Sequence, residues 1–409
     1  MTEPGAVPAH VPPEMVYDFD LFGGADSPLF SDNLHGNIAR LAEEGRDILF
    51  TPRNGGQWVI IGRDATFEAA TDSDLFSSDP LIREPESTRQ PILPIELDPP
   101  RHAPYRKIFS EIFSAAAMSK YEPQIREMAT ELIDKVIDAG RCDYAPDIAE
   151  PLPVLFFMRM MGFPLDRFEE FRRWVLTAIS SADPAERDAI WGKVVGMSTE
   201  LIHAREKEPR DDLISRLLEV EIDGRKPTLS EMQSFCIMLF VAGLDTVTNA
   251  MSLTMRGIGI DPELQQDLRA NPKKIPLAIE ELMRRFSGNT VQRFVRRDGE
   301  FRGAPLKKGD YVLIFYPAAN LDPRAFPDPE TVNIDRRASH LAFGAGIHRC
   351  VGAQLARVEL RVLTEEWLRR IPTFTLDPGR AWKYHTGYVI SIDSLPLVWD
   401  PAAVRSVAA

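Results

Sequence analysis

The sequence predicts a mainly α protein of the α+β class, in which a few small β elements accompany many helices. Between residues 118 and 207, apolar residues recur at intervals of three and four, which is typical of amphipathic helices. Thr228-Leu-Ser-Glu231 forms a capping box ahead of a long apolar stretch. The β-branched runs, in contrast, are short and lie between Gly- or Pro-rich turns, so we expect only small sheets.

The first 16 residues differ from the rest of the chain. They contain four prolines, an early acidic residue and no apolar run, which predicts a flexible, extended arm rather than a signal peptide or a membrane anchor. No Ser/Gly-rich linker or abrupt change of composition occurs between Asp18 and Pro401, so residues 17–409 are expected to form a single domain. These features favour a cytoplasmic protein without a membrane segment.

The elements of the N-terminal half follow from local patterns. Gln57 to Arg63 is a β-branched strand that leads into a helix, whereas the four prolines from Pro91 to Pro100 predict an irregular, rigid segment. Helical periodicity then covers residues 118–139, 145–161, 165–182 and 184–207.

The C-terminal half begins with the helix that Thr228 caps, which we expect to reach about Ile258. A second helix follows over residues 276–286, and a Lys308-Gly309-Asp310 turn then separates strand-like runs. A Pro-rich segment and a glycine-rich loop precede the last long helix, and two short strands, around YVISI and LPLVW, end the pattern.

Charge and cysteine usage exclude several classes of function. The net charge of −13 argues against a nucleic-acid partner, because such proteins need a basic face. Cys142, Cys236 and Cys350 are odd in number and widely spaced, so they predict neither a disulfide framework nor a zinc site.

The most informative segment is Phe343-Gly-Ala-Gly-Ile-His-Arg-Cys350-Val-Gly352, which leads directly into a helix. A thiolate before a helix N-terminus is stabilised by the helix dipole, and glycines let backbone N–H groups approach the sulfur. A cysteine taken alone is more often a small buried apolar residue. Six matched positions in the pattern F-G-x-G-x-H-x-C-x-G favour a thiolate ligand of haem iron instead.

A second pattern, Ala242-Gly-Leu-Asp245-Thr246, interrupts the apolar stretch of the capped helix. A carboxylate there is costly unless it has a partner. One interpretation is structural, with Asp245 as a capping or pairing residue and Thr246 bonded back to the helix. The other follows from the family resemblance given in the next paragraph: the delivery of protons for oxygen chemistry, which requires an acid and a hydroxyl in a site that excludes bulk water.

Together these segments resemble the cytochrome P450 family, and the soluble bacterial camphor-hydroxylase branch most of all. The resemblance implies a single triangular, helix-rich fold with small β-sheets and haem b as cofactor. It makes Cys350 the axial ligand of the iron and places Phe343, His348 and Gly352 against the haem. On the oxygen side it implies that Gly243 leaves room for O2, that Thr246 hydrogen-bonds the iron-bound oxygen, and that Asp245 delivers protons.

The resemblance also assigns the partners of the haem carboxylates. His102 and Arg106 lie one helical turn apart, and Arg293 and His340 match two later positions, so these four residues form the expected clamp. Glu281 and Arg284 match the family's buried structural E-x-x-R pair. Thr331 stands where a basic third partner is usual, which leaves that partner open.

The expected substrate is a compact apolar molecule held by shape. Gln90 lies close to the position at which camphor-type enzymes have a tyrosine that grips a ketone, so a terpenoid or norisoprenoid other than camphor is the expectation. For any single apolar position, plain core packing is an alternative. The lining positions implied by the resemblance are Leu81, Ile82, Gln90, Ile92, Met238, Val241, Asn289, Val291 and Val389.

No nucleotide- or flavin-binding segment is evident, so the electrons must come from another protein. The resemblance implies a [2Fe-2S] ferredoxin with a separate NAD(P)H-dependent reductase. Four residues predict a basic docking patch on the cysteine side: Arg101, Lys107, Arg349 and Arg357. Two alternatives to an O2-dependent monooxygenase are a peroxygenase driven by H2O2 and a haem-thiolate binding protein without turnover.

Overall fold

The computed structural model describes residues 3–31, 33–86, 90–180, 184–336 and 339–407, and it is helix-rich with small sheets, as the sequence predicts. The helices are α1 (Leu34–Glu43), α2 (Arg63–Thr71), α3 (His102–Ile112), α4 (Ala115–Met118), α5 (Glu122–Asp134), α6 (Pro151–Met161), α7 (Phe168–Ser180), α8 (Pro184–Lys207), α9 (Leu213–Glu219), α10 (Leu229–Gly243), α11 (Asp245–Gly259), α12 (Pro262–Ala270), α13 (Ile275–Arg285), α14 (Tyr316–Ala319), α15 (Ala353–Arg370) and α16 (Pro401–Val407).

Short strands form separate small sheets beside the helices. They are β1 (Ile48–Thr51), β2 (Gln57–Ile60), β3 (Phe76–Ser77), β4 (Arg141–Asp143), β5 (Thr290–Val295), β6 (Gly299–Phe301), β7 (Ala304–Leu306), β8 (Tyr311–Phe315), β9 (Phe374–Leu376), β10 (Lys383–His385), β11 (Ser391–Ser394) and β12 (Pro396–Trp399). The largest sheet has the order β1-β2-β8-β5-β3, in which β2 and β8 are parallel and the other neighbours are antiparallel. The predicted strand at Gln57 and both predicted C-terminal strands are confirmed.

The long apolar helix is interrupted where the sequence predicts a continuous one. Thr228 caps α10 through the predicted box with Glu231. The helix ends at Gly243, and α11 begins at Asp245 after Leu244, whose φ and ψ are −110° and −60°. Taken together, Leu229–Gly259 is long and apolar enough to cross a membrane, yet most of its apolar window is buried inside the protein. That burial is what a central core helix shows.

The E-x-x-R pair stabilises the segment that precedes the cysteine loop. Arg284 is fully buried and bonds both carboxylate oxygens of Glu281 at 2.8 and 2.9 Å. The missing basic partner is Arg336, whose Nε donates to Glu281 Oε1 at 3.1 Å. Thr331 contributes its carbonyl oxygen, which accepts from Arg284 Nη2 at 3.2 Å. The cationic third member of the network, Arg336, therefore lies five residues after Thr331, the position at which the family usually has it.

The N-terminal segment lies along the edge of the largest sheet. Gly5 N donates to Pro52 O at 2.8 Å, Val11 is buried, and Val16 forms a parallel bridge with Phe50. From Gly5 onward these contacts attach the segment to the body of the protein. The domain boundary at residue 16 stays a prediction.

Candidate active site

The cysteine loop is held in shape by its own backbone. Cys350 N donates to Phe343 O at 2.8 Å, and α15 begins three residues after the cysteine. Gly344 and Gly346 have φ values of +69° and +68°, in the left-handed region that favours glycine. A Cβ at Gly346 would lie 2.2 Å from the carbonyl oxygen of Ala70, so this position admits no side chain.

The Cys350 side chain faces an open space inside the protein. The residue retains accessible surface, yet burial raises the pKa of its thiol. A backbone hydrogen bond from Gly352 acts in the opposite direction, as do the charges of Arg106 and Arg357. A thiol that is surrounded by protein and lies near several arginines is suited to bind an electrophilic metal ion, because the metal stabilises the thiolate.

The C-terminal end of α10 also borders open space. Met238, Leu239 and Phe240 are buried, but the next residues, 241 to 243, are exposed, and Val241 is 42% exposed. A Cβ added at Gly243 would meet nothing within 4 Å. After a run of buried residues, α10 therefore ends in one bare turn, which is the shape expected beside a large planar group.

Two histidine nitrogens near this space are buried without a hydrogen bond, and a buried arginine beside them, Arg293, donates only to a backbone oxygen, that of Gln292, at 2.6 Å within the described residues. His102 and His348 lie with ring centroids 4.6 Å apart, and the Nε2 atom of each is buried without a hydrogen bond. Burial, followed by the charge of Arg293, lowers the pKa of His348 to about 3. Arg293 is buried, and within the described ranges no carboxylate forms an ion pair with it. Buried cationic and donor groups of this kind require an anion, and the carboxylates of haem satisfy that requirement.

Arg106 and His340 are the other two residues predicted to bind the haem carboxylates, and each has a hydrogen-bond partner within the protein. The Arg106 guanidinium hydrogen-bonds the carbonyl oxygen of Arg349, one residue before the cysteine. His340 Nε2 lies 3.1 Å from Glu280 Oε2, and its Nδ1 accepts from Ala342 N at 3.1 Å. Both ring nitrogens of His340 are therefore engaged within the protein, and its predicted place among the partners of the haem carboxylates stays a prediction.

Asp245 and Thr246 lie at the break between α10 and α11. The Thr246 hydroxyl donates to the carbonyl oxygen of Ala242 at 3.0 Å, just beside the bare turn. Burial raises the pKa of the Asp245 carboxyl, and Asn249 Nδ2 donates to its Oδ1 at 2.8 Å. The break thus brings an acid and a hydroxyl to the edge of the open space.

Comparisons with known proteins agree with this geometry. The sequence model of the family described as "Cytochrome P450" matches residues 171–381. The relative named "Probable cytochrome P450 127A1", from Sinorhizobium fredii, is 34% identical over 403 residues, covering 96% of this chain and 97% of the relative. The chain belongs to the cytochrome P450 family. It is therefore a haem-binding monooxygenase of the soluble bacterial type.

Other P450 enzymes match over comparable lengths. The "Steroid C26-monooxygenase" of Mycobacterium tuberculosis is 31% identical over 369 residues, covering 87% of this chain and 97% of that enzyme. Among solved structures, CYP101J2 superposes with a TM-score of 0.87 at 32% identity, over 98% of this chain and all of the other. CYP101C1 gives the same TM-score at 30% identity, over 97% of this chain and all of the other.

The predicted substrate positions of this P450 fall into different environments. Asn289 and Val389 form a β-bridge, so the structure brings these two together. Met238 is only 4% exposed and packs in the main core, and Gln90 is exposed. Four other positions are partly buried: Leu81, Ile82, Ile92 and Val291. Their role in substrate binding stays a prediction.

The sequence reading missed the residues that support the site. Glu280 lies beside the E-x-x-R glutamate and bonds Arg357 at 2.7 and 2.8 Å as well as His340. Although burial opposes it, these bonds lower the pKa of Glu280 to about 2. Arg357 also stacks on the Phe343 ring, with its Cζ 4.3 Å from the centroid. Neither the doubled Glu280-Glu281 nor the position of Arg357, seven residues after Cys350, indicated by spacing alone that these residues pair.

Proposed function

We propose that this P450 hydroxylates a compact apolar molecule of the terpenoid or norisoprenoid class, with O2 as oxidant. The observation that carries the proposal is the bare turn of α10, where Val241 and Gly243 face open space next to Asp245 and Thr246. An apolar wall beside an acid and a hydroxyl suits a substrate that binds by shape while protons are delivered from one side.

Different residues of the chain would hold the iron and the carboxylates of the haem. Bound haem would supply the iron at which O2 is activated, and Cys350 would hold that iron and donate electron density to it. His102, Arg106, Arg293 and His348 would hold the haem carboxylates through charge-assisted hydrogen bonds.

The residues at the break between α10 and α11 would deliver protons to the bound oxygen. Gly243 leaves space, the Thr246 hydroxyl is positioned at the break of the helix, and Asp245 is a partly buried carboxyl able to hold a proton. A raised pKa favours the protonated form, which makes Asp245 a donor closer to neutral pH than an exposed aspartate.

The proposed electron donor is a [2Fe-2S] ferredoxin with a separate NAD(P)H-dependent reductase. Arg101, Lys107 and Arg349 are exposed close to the cysteine loop and provide a basic surface for an acidic partner. Arg357, the fourth residue predicted for this patch, is partly exposed and forms an ion pair with Glu280, so its place in the patch stays a prediction. We also propose a cytoplasmic location and one catalytic domain over residues 17–409.

The deciding experiment measures product formation with O2, ferredoxin, reductase and NADH over a panel of small terpenoids and norisoprenoids. The panel is first screened for compounds that shift the spin state of the haem iron. Product formation coupled to NADH consumption is the expected result. Turnover only with H2O2 would identify a peroxygenase, and spectral binding without turnover under either condition would identify a binding protein.

A further inference from the structure

The β10–β11 hairpin carries three polar residues toward the start of α11. His385 and Ser391 are directly opposite each other in the antiparallel register, and Asp393 lies two residues beyond Ser391. Since alternate residues of a strand share a face, all three side chains belong to one face of the hairpin. His385 Nδ1 lies 2.8 Å from Asp393 Oδ1, which makes these two residues a pair.

Direct contacts join this face to Asp245. Ser391 Oγ donates to Asp245 Oδ2 at 3.5 Å, and Asn249 Nδ2 lies within 3.1 Å of Ser391 Oγ. The other amide atom, Asn249 Oδ1, accepts from Ile392 N at 2.8 Å. Asn249 therefore fixes the hairpin on α11 while it also bonds Asp245, so the contact does not depend on one long hydrogen bond.

The charged groups around this contact lie on several elements: Asp143 accepts from Ser394 Oγ of β11, and Asp147 lies on the helical turn Ala145–Ala149, which packs on β11. Burial raises the pKa of Asp245, and hydrogen bonding by Asn249 and the positive charge of His385 act against that rise. The hydrogen bond to Asp393 raises the pKa of His385, burial opposes the rise, and the charges of Asp393 and Asp245 add to it. The short helix Gly24–Asp26, which packs on β10, adds one exposed carboxylate, Asp26.

His385 is the cation whose charge acts on Asp245. Within the described part of the chain, no arginine or lysine forms an ion pair with this carboxylate. The His385 and Asp393 side chains are 45% and 48% exposed, so water reaches the pair, whereas Asp245 is partly buried. The hairpin therefore connects solvent with this acid through a histidine, the side chain whose charge changes most readily near neutral pH.

We propose that His385, oriented by Asp393, returns a proton from solvent to Asp245 during each turnover. This rests on the proposed function, since it takes Asp245 to be the inner proton donor. Protonated His385 loses one proton and the Asp245 carboxylate gains one, by way of the Ser391 hydroxyl, which releases one proton as it accepts another. Neutral His385 then takes a proton from water, and no electron is transferred.

A titration of His385 by NMR tests the coupling without any turnover. The measurement uses the reduced CO complex of the holoenzyme, which is diamagnetic, and His385→Gln assigns the resonance. Asp245→Asn and Asp393→Asn should each lower the pKa of His385, because each removes a carboxylate that favours the charged ring. An unchanged His385 pKa in Asp245→Asn would overturn the proposal.

Kinetics then separate a proton-supply role from a structural one. His385→Gln should lower kcat roughly tenfold, less than the ~100-fold expected for a donor in direct contact, and leave the KM for substrate unchanged. The solvent isotope effect on kcat should rise, and removal of the imidazole should alter the dependence of kcat on pH. The matched control is His203→Gln, because His203 pairs with Glu206 at 2.9 Å with similar exposure but lies on α8.

The outcomes distinguish this inference from the proposed function. A wild-type pH profile in His385→Gln, whether or not kcat falls, would refute the proton supply. If the wild-type enzyme makes product but His385 and Asp245 do not titrate together, the inference alone fails. If they titrate together but no substrate is oxidised, the proposed function fails and the coupled pair stands.

Discussion

His102 and His348 face each other with ring centroids 4.6 Å apart, and a buried nitrogen of each ring has no hydrogen-bond partner. The Arg293 guanidinium, which has a backbone hydrogen bond but no carboxylate ion pair within the described residues, acts electrostatically on His348. Such an arrangement is costly in the protein alone and favourable once an anion is present. It explains why the sequence places these polar groups in the interior.

Replacement of Arg293 should therefore have opposite effects on the two forms of the protein. Arg293→Leu should weaken haem retention by about 1.5–3 kcal/mol, the value of a hydrogen bond to a charged group. The apoprotein should become more stable, because a buried cation without a carboxylate partner is removed. Haem transfer to apomyoglobin and thermal unfolding of the apoprotein measure these effects. Arg101→Leu, at an exposed position, is the control, and equal haem retention in both variants would refute the clamp.

Cys350→Ala should abolish the absorption band of the reduced CO complex that is characteristic of cysteine-ligated haem. The reason is that Cys142 and Cys236 are buried thiols whose pKa burial raises strongly, so neither replaces the lost ligand. The spectrum of the reduced CO complex is the measurement. Cys142→Ala serves as the control and should keep the band, and a surviving band in Cys350→Ala would remove this residue as the ligand.

Thr246→Ala should retain haem and substrate binding but divert electrons from product to peroxide. Without the hydroxyl, the proton route at the helix break is interrupted, whereas the haem carboxylate partners are untouched. Peroxide release and product are measured per NADH consumed. Thr248→Ala is a matched control, because the Thr248 hydroxyl also donates to a carbonyl four residues earlier, that of Leu244. If the two variants form the same amount of product per NADH consumed, Thr246 has no special role in proton delivery.

Reversal of two exposed charges tests the docking surface for ferredoxin. Arg101→Glu and Lys107→Glu together should raise the KM for ferredoxin by roughly tenfold at low ionic strength, and salt should reduce the difference, since exposed charges act mainly on association. The haem spectrum should not change. Lys308→Glu, an exposed charge in the turn before β8, is the control. Unchanged ferredoxin kinetics in the double variant would refute the patch.

The sequence predicted the features that depend on local pattern. The Thr228–Glu231 capping box and the glycines of the cysteine loop act through neighbouring residues, so spacing was enough to identify them. Arg336 and Glu280 were missed, because their partners lie 55 and 77 positions away in the chain. Long-range ion pairs carry no periodic signal, and only the folded chain shows which of several charged residues meet.

The break at Leu244 was missed for a different reason. Composition favours one apolar helix through residues 229–259, and no proline or glycine pair marks an end. The side chains of Thr246 and Thr248 instead donate to the carbonyl oxygens of Ala242 and Leu244. Such bonding by threonine to a carbonyl four residues earlier bends helices, so the pattern D-T-x-T was a usable signal.

Glu359 gives a prediction about stability that is independent of catalysis. It lies on α15, and burial raises the pKa of its carboxyl from the usual 4.5 to about 8. Between these pH values the folded protein keeps a proton that the unfolded chain has lost, so stability falls as pH rises. The slope is about 1.4 kcal/mol for each pH unit, and the contribution levels off above pH 8.

Glu359→Gln removes this titration and keeps the shape of the side chain. The variant should match the wild type near pH 4.5 and become progressively more stable than it toward pH 8, as measured by unfolding of the holoenzyme in urea across that range. Glu127→Gln, at an exposed position on α5, is the control and should show no such pH dependence. A constant difference between Glu359→Gln and the wild type at every pH would mean that Glu359 is ionised in the folded protein, and that a cation or ordered water compensates its charge.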